Sequence, residues 1–288
     1  MVSSYPFVSI IFPTLDGWQD TKKCLESITR LSYSPKRLEV IIIDNGSTDE
    51  TLRQVTVNIY ELTIRVIKNK KNLGFGRAVN QGIRRAKGEL VFITNNDVVF
   101  EKDSIKTLVS YLNRHPEIGV VGGKILSLRS PKTILSAGHK MNPWTGNVYP
   151  SPNPEKLKEV DWIQGAGMLI PKKVIKKVGL LDESYSHFFE DFDLCLRIKR
   201  SGFKVTYFPK AIFWHGGSTT ANRNINKKYF EWYKNKIRFI LKNMPLANVI
   251  SILFIQTCLV VPYRALILQD GRFLAFVKGL FSNIKGGK

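Results

Sequence analysis

The sequence is poor in cysteine. Its 288 residues hold three, Cys24, Cys195 and Cys258, with no CxxC pair and no Cys/His cluster. An odd, sparse set excludes a disulfide framework and a structural zinc site, and it fits a reducing compartment. Acidic residues are also scarce: 23 Asp and Glu face 44 Lys and Arg. There is no internal repeat and no low-complexity segment. The opening stretch MVSSYPFVSIIFPTL lacks a basic n-region and meets Pro13 early, so it reads as a first strand and not as a signal peptide. Apolar and aromatic residues, 43% and 11% of the chain, are abundant enough to fill a core, which excludes a disordered chain. The length fits one large α/β domain, alone or with an appendage.

The net charge of +21 points to a polyanionic partner: nucleotide phosphates, nucleic acid or an anionic membrane face. Its distribution favours the membrane over a nucleic-acid groove. Residues 222–288 hold 12 Lys and Arg against Glu231 and Asp270 alone, so this segment carries net +10. It also holds the longest uncharged run, Asn243 to Tyr263, 21 residues. The preceding stretch Lys227–Lys242 interleaves basic residues with Tyr229, Phe230, Trp232 and Tyr233. That pattern predicts a helical tail seated on anionic lipid, lying in the interface or re-entrant. A true span, a dimer interface and a core helix pair are the other readings of the same run.

Strand-like and helix-like blocks alternate through the first hundred residues. Phe7–Pro13, Leu38–Ile43, Ile64–Ile67 and Glu89–Thr94 read as strands. Asp20–Leu31, Thr48–Tyr60, Arg77–Ala86 and Ser104–Arg114 have helical spacing. The alternation predicts an α/β fold with a mostly parallel central sheet and helices on both faces. Further on, Asp161–Ile170 reads as a strand, Phe188–Arg200 as a helix and Lys204–Pro209 as a strand. Ligands in such sheets sit beyond the carboxyl ends of the strands. Asp16, Asp44 and Asn95-Asn96-Asp97 cluster there, and packing alone does not explain three such strand ends.

Five blocks resemble the inverting nucleotide-sugar glycosyltransferases of family 2, which have the GT-A fold. They are VSIIFPTLDG (8–17), VIIIDNGSTDET (40–51), NKKNLGFGRAVNQGIRRAKGELVFITNNDV (69–98), WIQGAGMLI (162–170) and FFEDFDLCLRIKRSGFKV (188–205). FWHGGS (213–218) follows. The NND block and the HGGS tail are most similar to rhamnosyltransferase-type enzymes of polysaccharide assembly. The resemblance implies a GT-A domain over 1–221, with a nucleotide-binding half (1–100) and an acceptor half (101–221). Residues 222–288 remain as the basic and apolar tail.

The resemblance also implies roles. Pro13, Thr14, Asp16 and Asp44 line the donor nucleotide, and Asp44 accepts from a pyrimidine ring N–H, which selects uracil or thymine over cytosine. Asn72, Gly74 and Arg77 lie at the pyrophosphate, where a glycine turn opens a helix. Asn95 and Asn96 approach the donor sugars. Asp97 and His215 are the metal ligands, for Mn²⁺ or Mg²⁺. Asn95 stands where the family has an acidic residue, so metal binding is expected together with the donor. Gly165, Ala166, Gly167 and Glu190 face the acceptor, and Asp191 is the general base. The expected partners are a UDP- or dTDP-sugar, a glycan or lipid-linked acceptor and an anionic membrane surface, but no nucleic acid. The expected place is the cytoplasmic face of the cell membrane. Oligomeric state stays open. Three rivals share some features: a sugar-nucleotide pyrophosphorylase, an inactive nucleotide-sugar binder and a basic nucleic-acid module. FPTLDGW lacks the Gly-rich, Arg-containing loop of the first, and the third leaves Asp44, Asp97 and Asp191 unexplained.

Overall fold

The computed structural model describes residues 5–57, 62–217, 225–260, 262–263 and 272–285. Strands β1 (Val8–Thr14), β2 (Leu38–Asp44), β3 (Thr63–Lys68) and β4 (Leu90–Ile93) alternate with helices α1 (Trp18–Thr29), α2 (Thr51–Val57) and α3 (Phe75–Arg85). These four strands lie in the order β3-β2-β1-β4, all parallel. Thr14 pairs with Asp44, and Asp44 with Lys68, so the carboxyl ends share one edge. The chain reverses its winding between β1 and β4, the place where such sheets open a crevice.

Next come β5 (Val98–Phe100), α4 (Ser104–Arg114), β6 (Ile118–Ser127) and four short strands: β7 (Ile134–Ser136), β8 (His139–Met141), β9 (Val148–Pro150) and β10 (Lys158–Glu159). Then follow β11 (Met168–Pro171), α5 (Lys172–Val178), α6 (Glu190–Arg200) and β12 (Lys204–His215). β11 lies antiparallel between β4 and β6, while β12 runs parallel to β6. The sheet is therefore mixed, where a mostly parallel one was expected. The connection from β6 to β11 contains no helix among the described residues, and parallel neighbours need such a crossover.

Side chains of alternating strand residues fill two cores. Ile10, Phe12, Val40 and Ile42 pack on one face with α1 and α4, while Ile11, Ile41 and Ile43 pack on the other with α3. The two-residue period of a strand produces this division.

Three local expectations shift. Helix α2 begins at Thr51, because the Asp49 carboxylate accepts the Thr51 N–H at 2.9 Å and makes a turn there. The end of the expected helix, 58–60, lies outside the described residues. Of Asp161–Ile170, only the last residues form a strand; Gly167 N–H bonds Gln164 O at 3.1 Å in a turn. Helix α6 starts at Glu190, since Phe188 and Phe189 are left-handed with φ of 69° and 71°.

The tail contributes α7 (Ile225–Asn243), α8 (Leu246–Ile255) and α9 (Arg272–Lys285). Phe239 and Ile240 of α7 and Val249 and Ile252 of α8 pack with Tyr185, Phe189 and Phe192 of the main domain. α9 packs on α7 through Ala275 and Phe276. The uncharged run starts in the last turn of α7, breaks at Pro245 and continues in α8. Among the described residues, no helix is long and apolar enough to cross a membrane.

Candidate active site

Asp44 ends β2 and is buried. One carboxylate oxygen accepts Ser47 N–H at 3.3 Å; the other, Oδ2, is buried with no hydrogen-bond partner. A buried acceptor left open costs free energy unless a ligand donor fills it. Asp16, by contrast, is occupied. Its Oδ1 accepts the backbone N–H groups of Thr48 and Asp49 at 2.7 and 3.2 Å, and its own N–H bonds Ser47 Oγ at 3.1 Å. It ties the β1 end to the β2–α2 loop. Pro13 pairs with Ile43 in the sheet, and Thr14 Oγ1 meets Thr21 Oγ1 at 2.9 Å.

The glycine turn before α3 is built by an asparagine the sequence did not single out. Asn45 Oδ1 accepts Leu73 N–H and Asn69 Nδ2, both at 3.1 Å, and Asn45 Nδ2 donates to Asn72 Oδ1 at 2.9 Å. Asn72 Oδ1 also accepts Gly74 N–H at 2.9 Å. Gly74 has φ of +85°, and a Cβ there would lie 2.7 Å from Ser186 O, so only glycine fits. Arg77 is half-exposed and lies 3.8 Å from Glu183. The signal for Asn45 was present in the DNG block, but its reach to residues 69–74 required the fold.

Asn95, Asp97 and His215 converge. His215 Nε2 is 3.1 Å from Asp97 Oδ1 and 3.2 Å from Asn95 Nδ2, and both Asp97 and His215 are buried. The antiparallel pairing of β5 with β12 sets His215 opposite Val98 and brings them together. One ring nitrogen cannot donate to the carboxylate and accept from the amide at once. Rotating the Asn95 amide, with the imidazole proton on Nδ1, turns the cluster into acceptors only. A carboxylate, an imidazole nitrogen and an amide oxygen fit a divalent cation, and the imidazole suits Mn²⁺. Asn96 points elsewhere: its amide donates to Thr14 Oγ1, Thr21 Oγ1 and Gly17 O at 3.2–3.4 Å. It braces the β1–α1 turn. Among the described residues, no three His, Cys, Asp or Glu side chains gather as a metal cage.

Asp191 and Glu190 open α6, both buried. Asp191 Oδ2 accepts Gly165 N–H at 2.7 Å, and Oδ1 accepts Phe192 N–H at 2.8 Å. Burial pushes the Asp191 carboxyl above its ordinary range, and these N–H groups hold it partly back. Burial raises Glu190 well above its usual value, with the Asp191 charge adding to it. Glu190 Oε2 has no hydrogen-bond partner. A Cβ on Gly165 would sit 3.2 Å from the Phe75 ring and 3.5 Å from Asp191 Oδ2. The Gly165–Gly167 turn stands beside the β4 end because Met168 pairs with Ile93, and Thr94 Oγ1 donates to Ala166 O at 3.0 Å. The Gly165–Asp191 pair and the Asn95–Asp97–His215 cluster thus flank one strand end.

Two consecutive left-handed Phe residues cost about 1–2 kcal/mol each. Packing of Phe189 against Trp162, Trp232, Phe192 and Phe239 offsets this. Helix α7 adds a clamp. Buried Asn235 donates to His187 O at 2.6 Å, and Arg238 donates to Ser184 O at 2.7 Å. The tail therefore holds the turn that aims Asp191, which sequence spacing did not indicate.

A family profile described as "Glycosyltransferase like family 2" matches residues 6–235. Among curated relatives, the N-acetylglucosaminyl-diphospho-decaprenol L-rhamnosyltransferase of Mycobacterium tuberculosis is 29% identical over 226 residues, covering 68% of this chain and 73% of that protein. The probable glycosyltransferase YdaM of Bacillus subtilis is 26% identical over 73% of this chain, which spans half the length of that protein. Two solved structures share the fold. The mannosyltransferase PcManGT from Pyrobaculum calidifontis, in complex with GDP-Man and Mn²⁺, has a TM-score of 0.62 at 17% identity, covering 99% of this chain and 77% of that one. S. aureus TarS 1-349 in complex with UDP-GlcNAc has a TM-score of 0.65 at 15% identity, covering 98% and 82%. With its mixed GT-A-like sheet and this match over most of its length, the chain belongs to glycosyltransferase family 2 and is a glycosyltransferase.

Proposed function

We propose that the enzyme transfers a sugar from a UDP- or dTDP-sugar to a hydroxyl of a glycan or lipid-linked acceptor, with inversion at the anomeric carbon. The observation that carries this reading is Asp191, a buried carboxylate with a raised pKa, aimed by the Gly165 N–H at the end of β4. Asp191 takes the acceptor hydroxyl proton as that oxygen attacks the anomeric carbon from the face opposite the diphosphate. The C–O bond to the diphosphate breaks as the new one forms. Glu190, whose carboxyl burial and the neighbouring Asp191 charge push well above its usual range, stands beside the base and can bond the acceptor. Asp97 and His215, with Asn95, would hold a divalent cation, which supplies charge neutralisation at the leaving diphosphate. Among the described residues too few protein ligands gather for a dedicated cage, so the cation would bind together with the donor. The Mn²⁺ in the mannosyltransferase complex and the decaprenol-linked substrate in the mycobacterial name support these choices of cation and acceptor class.

The test is a panel of UDP-, dTDP-, GDP- and CDP-sugars with membrane extract as acceptor, read by mass spectrometry. Transfer from a UDP- or dTDP-sugar is expected; transfer from GDP- or CDP-sugars alone overturns the donor assignment.

The open Asp44 oxygen makes a separate prediction. Asp44→Ala should weaken UDP binding about 10- to 100-fold, the worth of a hydrogen bond to a charged group. Calorimetry measures it, and an unchanged affinity would make Asp44 a loop residue only. The α7 clamp makes another. Asn235→Ala should lower turnover up to about tenfold while nucleotide affinity holds, since it loosens the base and not the donor site. Equal losses in turnover and in nucleotide affinity would instead mark a general packing defect.

A further inference from the structure

We propose that α8, with the adjacent Trp144 loop, is a docking face that lies in the surface of an anionic bilayer. Leu246, Ile250 and Phe254 repeat every four residues along one side of α8 and are 74%, 61% and 63% exposed. Val249 and Ile252, on the other side, are buried against the main domain. The helix is thus fixed in place with its apolar side outward. Ser251 Oγ donates to Trp144 O at 3.0 Å and Gln256 Nε2 to Thr145 O at 2.8 Å, so the exposed Trp144 is held next to it.

Scattered exposed apolar residues are ordinary; a concentration of them marks an interface. Of 14 exposed large hydrophobic residues among those described, eight fall in 241–281, so the apolar exposure is local. Charge decides the occupant. α8 carries no charged residue, yet the segment 222–288 around it has net +10 in a chain of net +21. A second copy of so basic a chain repels the first at long range. An anionic lipid surface attracts it, by roughly 1 kcal/mol per basic residue near the surface. With the π-helical segment Gln256–Val260 that continues it, α8 spans at most about 22 Å, short of a hydrocarbon core of about 30 Å, so it lies in the plane. Trp144 suits the headgroup level, where indole rings concentrate. The exposed side of α8 holds none of the residues of the proposed transfer site, and its test does not involve transfer.

The full chain is floated with phosphatidylcholine vesicles and with vesicles containing phosphatidylglycerol, at low and high salt. Binding to the anionic vesicles is expected, weakened by salt but not abolished, with Trp emission shifting to the blue. The combined variant Leu246→Glu, Ile250→Glu, Phe254→Glu should reduce partitioning by about 100-fold or more. Its melting temperature and UDP affinity should match the wild type. Should that variant melt early, the single exchange Ile250→Asn and a smaller blue shift in Trp144→Phe carry the same test. Wild-type protein that ignores anionic vesicles at low salt overturns the proposal. So does a triple variant that floats as well as the wild type, or one whose only change is the loss of a dimer.

Discussion

Replacing Asp191 by Asn is expected to lower sugar transfer by roughly 10²- to 10⁴-fold, the usual worth of a general base, while nucleotide affinity stays near wild type. Asn keeps the shape, and its single amide oxygen can still accept the Gly165 N–H that holds Asp191 Oδ2, giving up the Phe192 N–H at the helix start, so the α6 turn should survive. What it loses is the capacity to take a proton. The pH profile of the wild type gives an independent readout. Burial raises the Asp191 pKa, so the carboxylate form, the one a general base needs, is depleted as pH falls through that raised value. The acid limb of kcat/KM should therefore lie above the ordinary aspartate pKa of about 3.9. Near wild-type turnover in Asp191→Asn would remove Asp191 from the role, and an acid limb at the ordinary value would show that the buried environment does not govern it.

Asp97→Ala should abolish the Mn²⁺ dependence of UDP or dTDP binding. Outer-shell partners of a metal ligand already cost about 10- to 100-fold in affinity, so loss of the carboxylate itself should cost at least that. His215→Ala should give a smaller loss of the same kind, because one neutral ligand goes and the charge stays. Calorimetry with and without Mn²⁺ separates the outcomes. Unchanged affinity and unchanged metal dependence in Asp97→Ala would make it a strand-end turn residue. Loss of nucleotide binding even without metal would instead report damage to the β5–β12 junction, where Asp97 O accepts the Gly216 N–H at 2.9 Å.

The parallel half of the fold was legible because β1, β2 and β4 are buried on both faces and read as largely apolar runs, as in Leu38–Ile43, while β3 at the sheet edge is partly exposed. The second half was less so. β11 is four residues long after a turn, and β5 and β7–β10 are shorter still, below the length at which a two-residue period stands out. Phe188 and Phe189 have unremarkable helix-compatible side chains, and nothing local announces their left-handed backbone. Tertiary packing imposes it.

By itself the sequence determined that acidic and amide side chains end several buried strands, that a glycine turn opens α3, that Glu190 and Asp191 begin a helix and that the last quarter is basic and apolar. Those are local facts, set by spacing and composition. Only the tertiary structure decided which of these residues meet. β5 pairing with β12 joins Asp97 to His215 across more than a hundred residues. β11 pairing with β4 brings Gly165 to the strand end, and Gly165 orients Asp191. Asp16 and Asn96, site candidates in the sequence, have their polar groups engaged by neighbouring loops, while Asn45 and Asn235 proved to organise the turns. The physical reason is that a hydrogen bond needs two partners within about 3 Å, and sequence spacing fixes only one of them.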